Sequence, residues 1–475
     1  MSLEPSEDLM PPEDLMPPEE QSLPQAPPPL ETSLGQLERT INNAMSETPF
    51  VRGGGSICEI SASSYAVAGL SRFVKLGECV SILIDGQSYL GQIVRIGRDK
   101  VIVKSFQSNL DIRLGMPVWQ CGSFVLWPDD SWQGRIINGL GQPLDGGPDL
   151  QRGPKKMNVD ALPPNALERR RIVKPVKTGV KAIDLFTPIC EGQRIGVFAG
   201  SGVGKSTFLA MLARSGGFDK VVFALVGERG REVREFIEDA IGDKGAKTIG
   251  VVSTSDESPM MRRMAPKIAL TIAEYFRDKG EHVLLIVDSI TRFAHASRDV
   301  LLASGEVPVA RGYPPGVFSE MPKLLERAGT NSNETGAITA VFSVLVDGDD
   351  HNDPVADNIR GTLDGHIVLD RAIAEQGRYP AVNILSSVSR LARQAWSPEQ
   401  EKLILMLRAF IARYEDTRDL RLIGGYKQGV DVELDQAVSW VPGIYETLQQ
   451  SLETPIVHDA FMELSKALTS HANPA

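Results

Sequence analysis

The sequence of 475 residues is poor in several features, and each scarcity excludes a class of protein. It has only four cysteines and no CxxC pair, so neither a disulfide framework nor a cysteine-based metal site is indicated. We expect buried, reduced thiols in a cytoplasmic protein. No run is long and apolar enough to cross a bilayer. The formal net charge of −11 does not favour general binding to nucleic acid. The cysteines are Cys58, Cys79, Cys121 and Cys190.

Basic residues are missing from the start of the chain. Residues 1–31 contain eight acidic side chains and no lysine or arginine, and residues 1–29 contain nine prolines. An acidic, proline-rich start is not a secretory signal. Such a segment cannot bury enough surface to offset its ordering entropy, so we predict a disordered tail over 1–33.

A short amphipathic helix is predicted next, within residues 34–50. Leu34, Leu37, Ile41 and Met45 fall on one helical face. The sequence leaves open whether this face docks on a partner or folds back on its own chain.

The rest of the chain divides into three predicted regions. Short β-type runs separated by turn residues fill 51–120, which is typical of a closed or partly closed β domain of about six strands. Over 121–396 apolar strand-like runs alternate with helical patterns, which predicts an α/β domain with a mainly parallel sheet. The region 397–475 lacks strong strand patterns and is predicted to be helical. Predicted strands of the α/β domain are 221–226, 249–252, 283–287, 337–345 and 366–369. Predicted C-terminal helices are 399–414, 434–441, 445–452 and 457–469.

The stretch that most constrains function is QRIGVFAGSGVGKSTFLAMLARSGG, residues 193–217. A short apolar run of strand type leads into a glycine-rich loop, and a helical pattern follows. Because Gly200, Gly202 and Gly204 have no Cβ, the backbone can curl and aim its N–H groups at one point. The helix N-terminus adds partial positive charge there. This context predicts a phosphate loop, although Ala199 stands where the motif's first glycine usually stands.

The loop and the first helical turn are predicted to bind ATP and Mg²⁺. Lys205 can reach the β- and γ-phosphates, and the Ser206 hydroxyl can ligate the metal ion. The predicted nucleotide-binding residues of this stretch are Gly200, Ser201, Gly202, Val203, Gly204, Lys205, Ser206 and Thr207.

Two carboxylates follow predicted strands. The apolar run 283–287 ends in Asp288, which would face Mg²⁺ and its waters at the carboxyl edge of a parallel sheet. Glu228 follows another strand and could orient and deprotonate an attacking water. A surface ion pair is an equally weighted alternative for Glu228. Arg229 beside it could hold Glu228 or touch phosphate.

Further candidates lie outside these motifs. Arg292, four residues after Asp288, could reach the γ-phosphate. Arg390 could meet a neighbouring subunit's nucleotide as a charge-stabilising finger, and the sequence does not decide whether it acts in trans. Tyr379 and Tyr426 are candidates for stacking on adenine, although buried core aromatics are commoner.

Five stretches together resemble the ATPases that power protein export in type III systems, which are similar to the catalytic subunits of rotary F-type ATP synthases. The most specific stretch is 310–329, since it separates export ATPases from rotary subunits. The resemblance covers about residues 34–470. It implies a RecA-like P-loop NTPase domain with an N-terminal β-barrel and a C-terminal helical domain, in a homohexameric ring with ATP at subunit interfaces. The stretches are GSGVGKST (200–207), ALVGERGREVREF (224–236), HVLLIVDSITRFAHASRD (282–299), ARGYPPGVFSEMPKLLERAG (310–329) and RYPAVNILSSVSR (378–390).

Matching motif positions carry the family's roles to this chain. They imply that Lys205 and Ser206 bind phosphate and Mg²⁺, and that Glu228 is the catalytic carboxylate. Asp288 matches the carboxylate after the second strand. Arg229 and Arg292 match the arginines that lie beside the phosphates. Arg390 matches the arginine finger, and Tyr379 and Tyr426 match the residues that stack on adenine.

The resemblance implies a motor for flagellar protein export, with the injectisome branch as the alternative. Residues 34–45 are similar to the segment with which flagellar members bind a regulatory stator-like partner. Other implied partners are the membrane export gate and chaperone–substrate complexes, met at the inner face of the cytoplasmic membrane. An RNA translocase would need a basic, aromatic-bearing barrel, which residues 55–119 do not offer, so no specific nucleic acid is expected. A subunit without turnover is disfavoured by Glu228 and Arg390.

Overall fold

Most strands of the chain belong either to a barrel or to one large sheet. Residues 53–475 form one compact unit. The predicted tail and the helix at 34–50 lie outside the described residues, and the predicted domain boundaries stay predictions. The computed structural model describes residues 52–241, 247–332, 336–346, 353–457 and 459–472.

The first six strands form a closed antiparallel barrel. They are β1 Gly54–Ile60, β2 Tyr65–Ala68, β3 Cys79–Ile84, β4 Gln87–Ile96, β5 Lys100–Ser105 and β6 Pro117–Gly122. Their order around the barrel is β1-β2-β5-β4-β3-β6. Inward side chains such as Val101 and Val103 are fully buried in a core of their own. The predicted six-stranded β domain is therefore confirmed.

The remaining elements alternate strands with helices and then become helical. The strands are β7 Val125–Leu126, β8 Ile136–Asn138, β9 Met157–Asn158, β10 Pro175–Val176, β11 Ile189–Cys190, β12 Arg194–Ala199, β13 Lys220–Glu228, β14 Thr248–Thr254, β15 His282–Asp288, β16 Gly329–Thr330, β17 Ala337–Leu345, β18 Gly365–Leu369 and β19 Val388–Ser389. The helices are α1 Lys181–Phe186, α2 Lys205–Ala213, α3 Gly230–Ile241, α4 Pro259–Asp278, α5 Ile290–Ala303, α6 Pro315–Leu325, α7 Pro354–Thr362, α8 Arg371–Glu375, α9 Ala392–Ala395, α10 Pro398–Asp416, α11 Arg418–Leu422, α12 Val432–Leu448 and α13 Ala460–Ala472.

Nine strands form the large sheet. Eight run in the order β19-β18-β12-β17-β15-β13-β14-β8, and β16 pairs with β17 off this path. All neighbours from β18 to β8 are parallel. In β15, Val283, Leu285 and Val287 enter one core, while Leu284 and Ile286 enter the other. Burial on both faces explains the continuous apolar runs that made these strands predictable.

One edge strand was not predicted. The three residues of β8 pair in parallel with β14, so part of the connection between barrel and sheet extends the sheet. A strand of three residues is too short to show a periodic apolar pattern, and sequence alone gave no signal for it.

The break predicted between helices 434–441 and 445–452 is wrong, because one helix, α12, runs to Leu448 with Pro442 inside it. A proline lacks the N–H for one helical hydrogen bond and favours a break. Here Val441 and Ile444 on either side of it are fully buried, and α12 packs on α10. Tertiary packing therefore overrides the local cost of the proline.

The thiols are free, but the expectation of burial is wrong for half of them. Cys79 and Cys190 are buried, whereas Cys58 and Cys121 are exposed on barrel strands, whose alternate residues face outward. No helix among the described residues combines the length and apolar content needed to cross a membrane.

The stretch 310–329 is held to the body by buried charges. Glu320 on α6 pairs with Arg263 at 2.8 Å and with Lys267 at 2.9 Å, both on α4. Burial alone would raise the pKa of Glu320, but these two cations outweigh it and hold the pKa at about 2. Arg263 also donates to Gln92 of the barrel at 3.4 Å. This cluster links α6, α4 and the barrel.

We predict that Glu320→Gln lowers the free energy of unfolding by about 3 kcal/mol, because it leaves the buried Arg263 without its carboxylate and Lys267 with Asp160 alone. Urea denaturation at neutral pH measures the change. The matched control is Glu238→Gln, which removes an exposed pair with Arg234 and should cost no more than about 0.5 kcal/mol. Equal losses in the two variants would contradict the prediction.

Candidate nucleotide-binding site

The central predicted residues meet at the carboxyl edge of the large sheet. Four neighbouring strands end there: β12 runs into the glycine loop, β13 ends at Glu228, β15 ends at Asp288, and β17 carries Ser343 near its end. Open α/β sheets bind ligands at this edge. Strand order therefore brings together residues that are far apart in the sequence.

The glycine loop has the curled backbone that the sequence predicts. Gly202 and Gly204 have φ values of +79° and +92°, a region that favours glycine. Val203 between them is 1% exposed and anchors the loop in the core. Helix α2 begins at Lys205, so the unpaired N–H groups of its first turn adjoin the loop.

Lys205 lies between two carboxylates. Its Nζ donates a short hydrogen bond to Asp288 Oδ1 and lies 3.8 Å from Glu228 Oε1. All three side chains are largely buried, and each is 11% exposed or less. The lysine charge is thus compensated within the protein, and a bound polyphosphate would compete with these carboxylates for it.

Asp288 has a second partner that sequence reasoning missed. Ser343 Oγ donates to Asp288 Oδ1 at 2.7 Å, and the serine side chain is fully buried. The sequence feature that could have pointed to Ser343 is its hydroxyl group within the mainly apolar run of β17. Its role depends on β17 lying beside β15, which the sequence does not show.

Glu228 is a buried carboxylate with one oxygen that accepts no hydrogen bond and lies 3.8 Å from Lys205 Nζ. Its side chain is 10% exposed, and Oε2 accepts a hydrogen bond from Arg292 Nη2 at 3.2 Å. Arg292 also donates to the carbonyl of Gly227, so the arginine is fixed at two points. Oε1 is buried without a hydrogen-bond partner. The ion pair considered from the sequence exists, but it is buried and leaves one oxygen available.

The environment shifts the ionisation of Glu228. Burial raises its pKa to about 7, and the Asp288 carboxylate adds to this, while Lys205 and Arg292 offset part of the shift. A carboxyl group that titrates near neutrality is well matched to accept a proton from a water molecule.

Tyr379 lies next to the loop. A Cβ on Gly204 would come within 3.4–3.5 Å of the Tyr379 ring, and the tyrosine is 47% exposed, so it is not a core aromatic. A cavity of about 280 Å³ is lined in part by Tyr379, Asp370 and Glu415. The Gln450 N–H donates to the Tyr379 carbonyl at 2.9 Å. An aromatic face therefore stands beside the phosphate loop, next to a space of ligand size.

Two predicted residues lie outside this cluster. The Arg229 side chain is 80% exposed and pairs with Glu232 at 3.4 Å. The Tyr426 hydroxyl donates to Asp435 at 2.7 Å within the C-terminal helical region. The structure does not bring either side chain to Lys205 among its described contacts, so their roles stay predictions.

Arg390 lies at the opposite edge of the sheet. It directly follows β19, and its N–H donates to the carbonyl of Asp364, which precedes β18. The phosphate loop follows the other end of the parallel strand β12, whose six residues span about 16 Å. The backbone of the exposed Arg390 therefore lies about one strand length from the phosphate loop of its own chain.

The donors at the loop suit Mg²⁺ carried by a nucleotide. In the described part of the chain, no group of three or more His, Cys, Asp or Glu is arranged to hold a metal ion. Ser206 is exposed in the first turn of α2. Mg²⁺ commonly takes few protein ligands and completes its shell with phosphate oxygens and water.

Comparison with known proteins agrees with this geometry. Residues 179–389 match the nucleotide-binding domain of the ATP synthase alpha/beta family, and residues 396–464 match the T3SS EscN ATPase C-terminal domain. A flagellum-specific ATP synthase of Agrobacterium fabrum is 56% identical over 419 residues, covering 88% of this chain and 89% of that protein. A SPI-2 type 3 secretion system ATPase of Salmonella typhimurium is 44% identical over 366 residues, covering 76% and 83%.

The fold also matches a solved assembly. The ATPase EscN in complex with its central stalk EscO, from the type III secretion system of enteropathogenic E. coli, superposes with a TM-score of 0.80 at 37% identity. The match covers 88% of this chain and 100% of that chain.

We predict that Glu228→Gln gains stability relative to the unchanged protein as the pH rises from about 5 to about 8. Because the folded-state pKa of Glu228 is raised from 4.5 to about 7, the folded protein binds more protons than the unfolded chain between these values. The unchanged protein therefore loses stability as the pH rises through this window, and glutamine does not titrate. Urea midpoints of both proteins at several pH values measure the difference. A difference that is constant with pH would contradict it.

Proposed function

We propose that this chain, which belongs to the family of flagellum-specific ATP synthases and type III secretion ATPases, hydrolyses ATP to power the export of flagellar proteins. The observation that carries hydrolysis is the buried Glu228, with a raised pKa and an oxygen that accepts no hydrogen bond, beside Lys205 and the phosphate loop. The chain is more similar to the flagellar relative than to the injectisome relative, which supports flagellar export over its alternative.

Binding begins at the glycine loop. The N–H groups of residues 200–204 and the start of α2 receive the phosphates, and the negative charge draws Lys205 away from Asp288. Ser343 stays with Asp288 and keeps its carboxylate oriented. Ser206 would hold Mg²⁺, which neutralises charge on the phosphate oxygens.

Hydrolysis then uses Glu228. A water molecule beside Oε1 gives a proton to this carboxylate as its oxygen attacks the γ-phosphorus. The bond from the γ-phosphorus to the bridging oxygen breaks, and ADP leaves with that electron pair. Arg292 fixes Glu228 through Oε2 and contributes positive charge at the γ-phosphate. Tyr379 stacks on the adenine ring, and Arg229 contacts phosphate once a nucleotide is bound.

A second copy of the chain completes the site. Arg390 is exposed and far from its own phosphate loop, so it is placed to act as the arginine finger of a neighbour in a homohexameric ring. This arrangement puts ATP at subunit interfaces and makes hydrolysis depend on assembly.

The exposed turn after α11 is our candidate for contact with a central stalk. Leu422, Ile423, Val430 and Val432 are 69–81% exposed, and so many exposed apolar side chains in one segment are typical of a partner surface. EscN, the structural relative, assembles with a central stalk. Further proposed partners are the stator-like regulator at 34–45, the export gate and chaperone–substrate complexes. The protein would act in the cytoplasm, at the inner face of the membrane.

We predict that Glu228→Gln lowers the steady-state rate of phosphate release at least 100-fold, because the proton acceptor is lost. Its dissociation constant for ATP should stay within about threefold, because the phosphate contacts remain. Lys205→Ala should weaken ATP binding as well as hydrolysis. Glu238→Gln, on the exposed face of α3, is the matched control and should behave like the unchanged protein. Normal turnover by Glu228→Gln would show that the base is another group.

We predict that Arg390→Ala lowers the rate about 1000-fold without weakening ATP binding by isolated monomers. Mixing inactive Arg390→Ala with inactive Lys205→Ala should restore activity, because at mixed interfaces an intact loop meets an intact finger. Phosphate release as a function of mixing ratio measures the recovery. Absence of recovery in rings that contain both variants would show that Arg390 does not act across the subunit interface.

A further inference from the structure

The guanidinium of Arg371 contacts the phosphate loop. Its Nη2 donates to the carbonyl oxygen of Ser201 at 3.3 Å. The contact follows from strand register, since Ala199 of β12 pairs with Leu369 of β18. Ser201 and Arg371 each lie two residues beyond this pair. No motif in the sequence marks Arg371, because its position depends on β18 lying beside β12.

Arg371 projects from a braced segment. The preceding Asp370 donates its N–H to the Ala381 carbonyl at 2.9 Å. The Asp370 carboxylate also accepts from the Asn383 side chain at 2.9 Å. Tyr379, which lies beside Gly204, belongs to the segment that these two hydrogen bonds close. The segment 370–383 therefore contacts the phosphate loop through Arg371 and places the Tyr379 ring 3.4–3.5 Å from where a Cβ on Gly204 would lie.

The loop needs such a support. For the loop to present its N–H groups to phosphates, its carbonyl groups must point away from them. Gly202 has φ near +79°, and a Cβ built there would meet nothing within 4 Å, so packing at that position does not hold the peptide. A cavity of about 180 Å³, lined by Gly200, Asp370 and Arg371, leaves room for movement on this side. The Arg371 cation at the Ser201 carbonyl opposes a reversal of that peptide.

We propose that Arg371 is a positioning residue for the nucleotide: by holding the Ser201 carbonyl away from the phosphates, it presets the loop for binding. The inference rests on the proposed binding of ATP at this loop. Because preorganisation serves the bound substrate and the transition state alike, its loss raises KM and leaves kcat largely unchanged.

The test compares Arg371→Ala with Arg371→Lys. Arg371→Ala should raise KM and the dissociation constant of a fluorescent ATP analogue about tenfold, because it removes one charge-assisted hydrogen bond. Its kcat should stay within about twofold of that of the unchanged protein. Lysine keeps a charged donor and should recover most of the affinity. Arg393→Ala, which removes an exposed arginine paired with Glu401, is the matched control.

A second measurement reads the loop without nucleotide. Amide hydrogen exchange at residues 201–204 should be faster in Arg371→Ala than in Arg393→Ala. If circular dichroism shows that the alanine variant is unfolded, Arg371→Gln replaces it, since it keeps a donor and removes the charge.

The outcomes separate this inference from the proposed function. Unchanged affinity and exchange, or a loss confined to kcat, would overturn the role of Arg371 while hydrolysis by the unchanged protein stands. Absence of ATP binding by the unchanged protein would overturn both.

Discussion

One lysine between two buried carboxylates is the interaction on which the site depends. Lys205 pairs directly with Asp288, whereas burial and the Asp288 carboxylate raise the pKa of Glu228, and Lys205 and Arg292 offset part of this shift. A polyphosphate that draws Lys205 away would leave the carboxylates with less positive charge. On the proposed role, ATP that arrives with Mg²⁺ brings its own cation, which favours the metal complex over free ATP.

The order of strands in the sheet produces this charge cluster. The strands β12, β17, β15 and β13 are adjacent, and neighbouring strands lie about 4.8 Å apart. The phosphate loop follows β12 and Ser343 lies near the end of β17, while Asp288 and Glu228 are the last residues of β15 and β13. Both faces of the sheet are buried, so its strands cannot shift without exposing apolar side chains. The site thus inherits its rigidity from the two cores, and Val203 anchors the loop between β12 and α2 in one of them.

The sequence predicts what local chemistry determines. The curled loop follows from its glycines, and Asp288 and Glu228 follow from apolar runs that end in an acid. The roles of Ser343 and Arg371 could not be predicted, because they depend on which strands are neighbours in the sheet. Helix α12 was predicted as two pieces, since the local signal of Pro442 is strong and the packing of Val441 and Ile444 is not visible in one sequence. Residues 34–50, where an amphipathic helix is predicted, lie outside the described part of the chain.

The cations of the site divide into two sets with different consequences. Lys205 and Arg292 belong to the same chain as Glu228, so a single subunit holds what binding and proton transfer require. Arg390 lies at the far edge of the sheet, about one strand length from its own phosphate loop. On the proposed roles, a monomer binds ATP but lacks the charge that stabilises the transition state, and only a neighbour provides it. Turnover is then confined to assembled rings, so that a free subunit conserves ATP until it reaches the export apparatus.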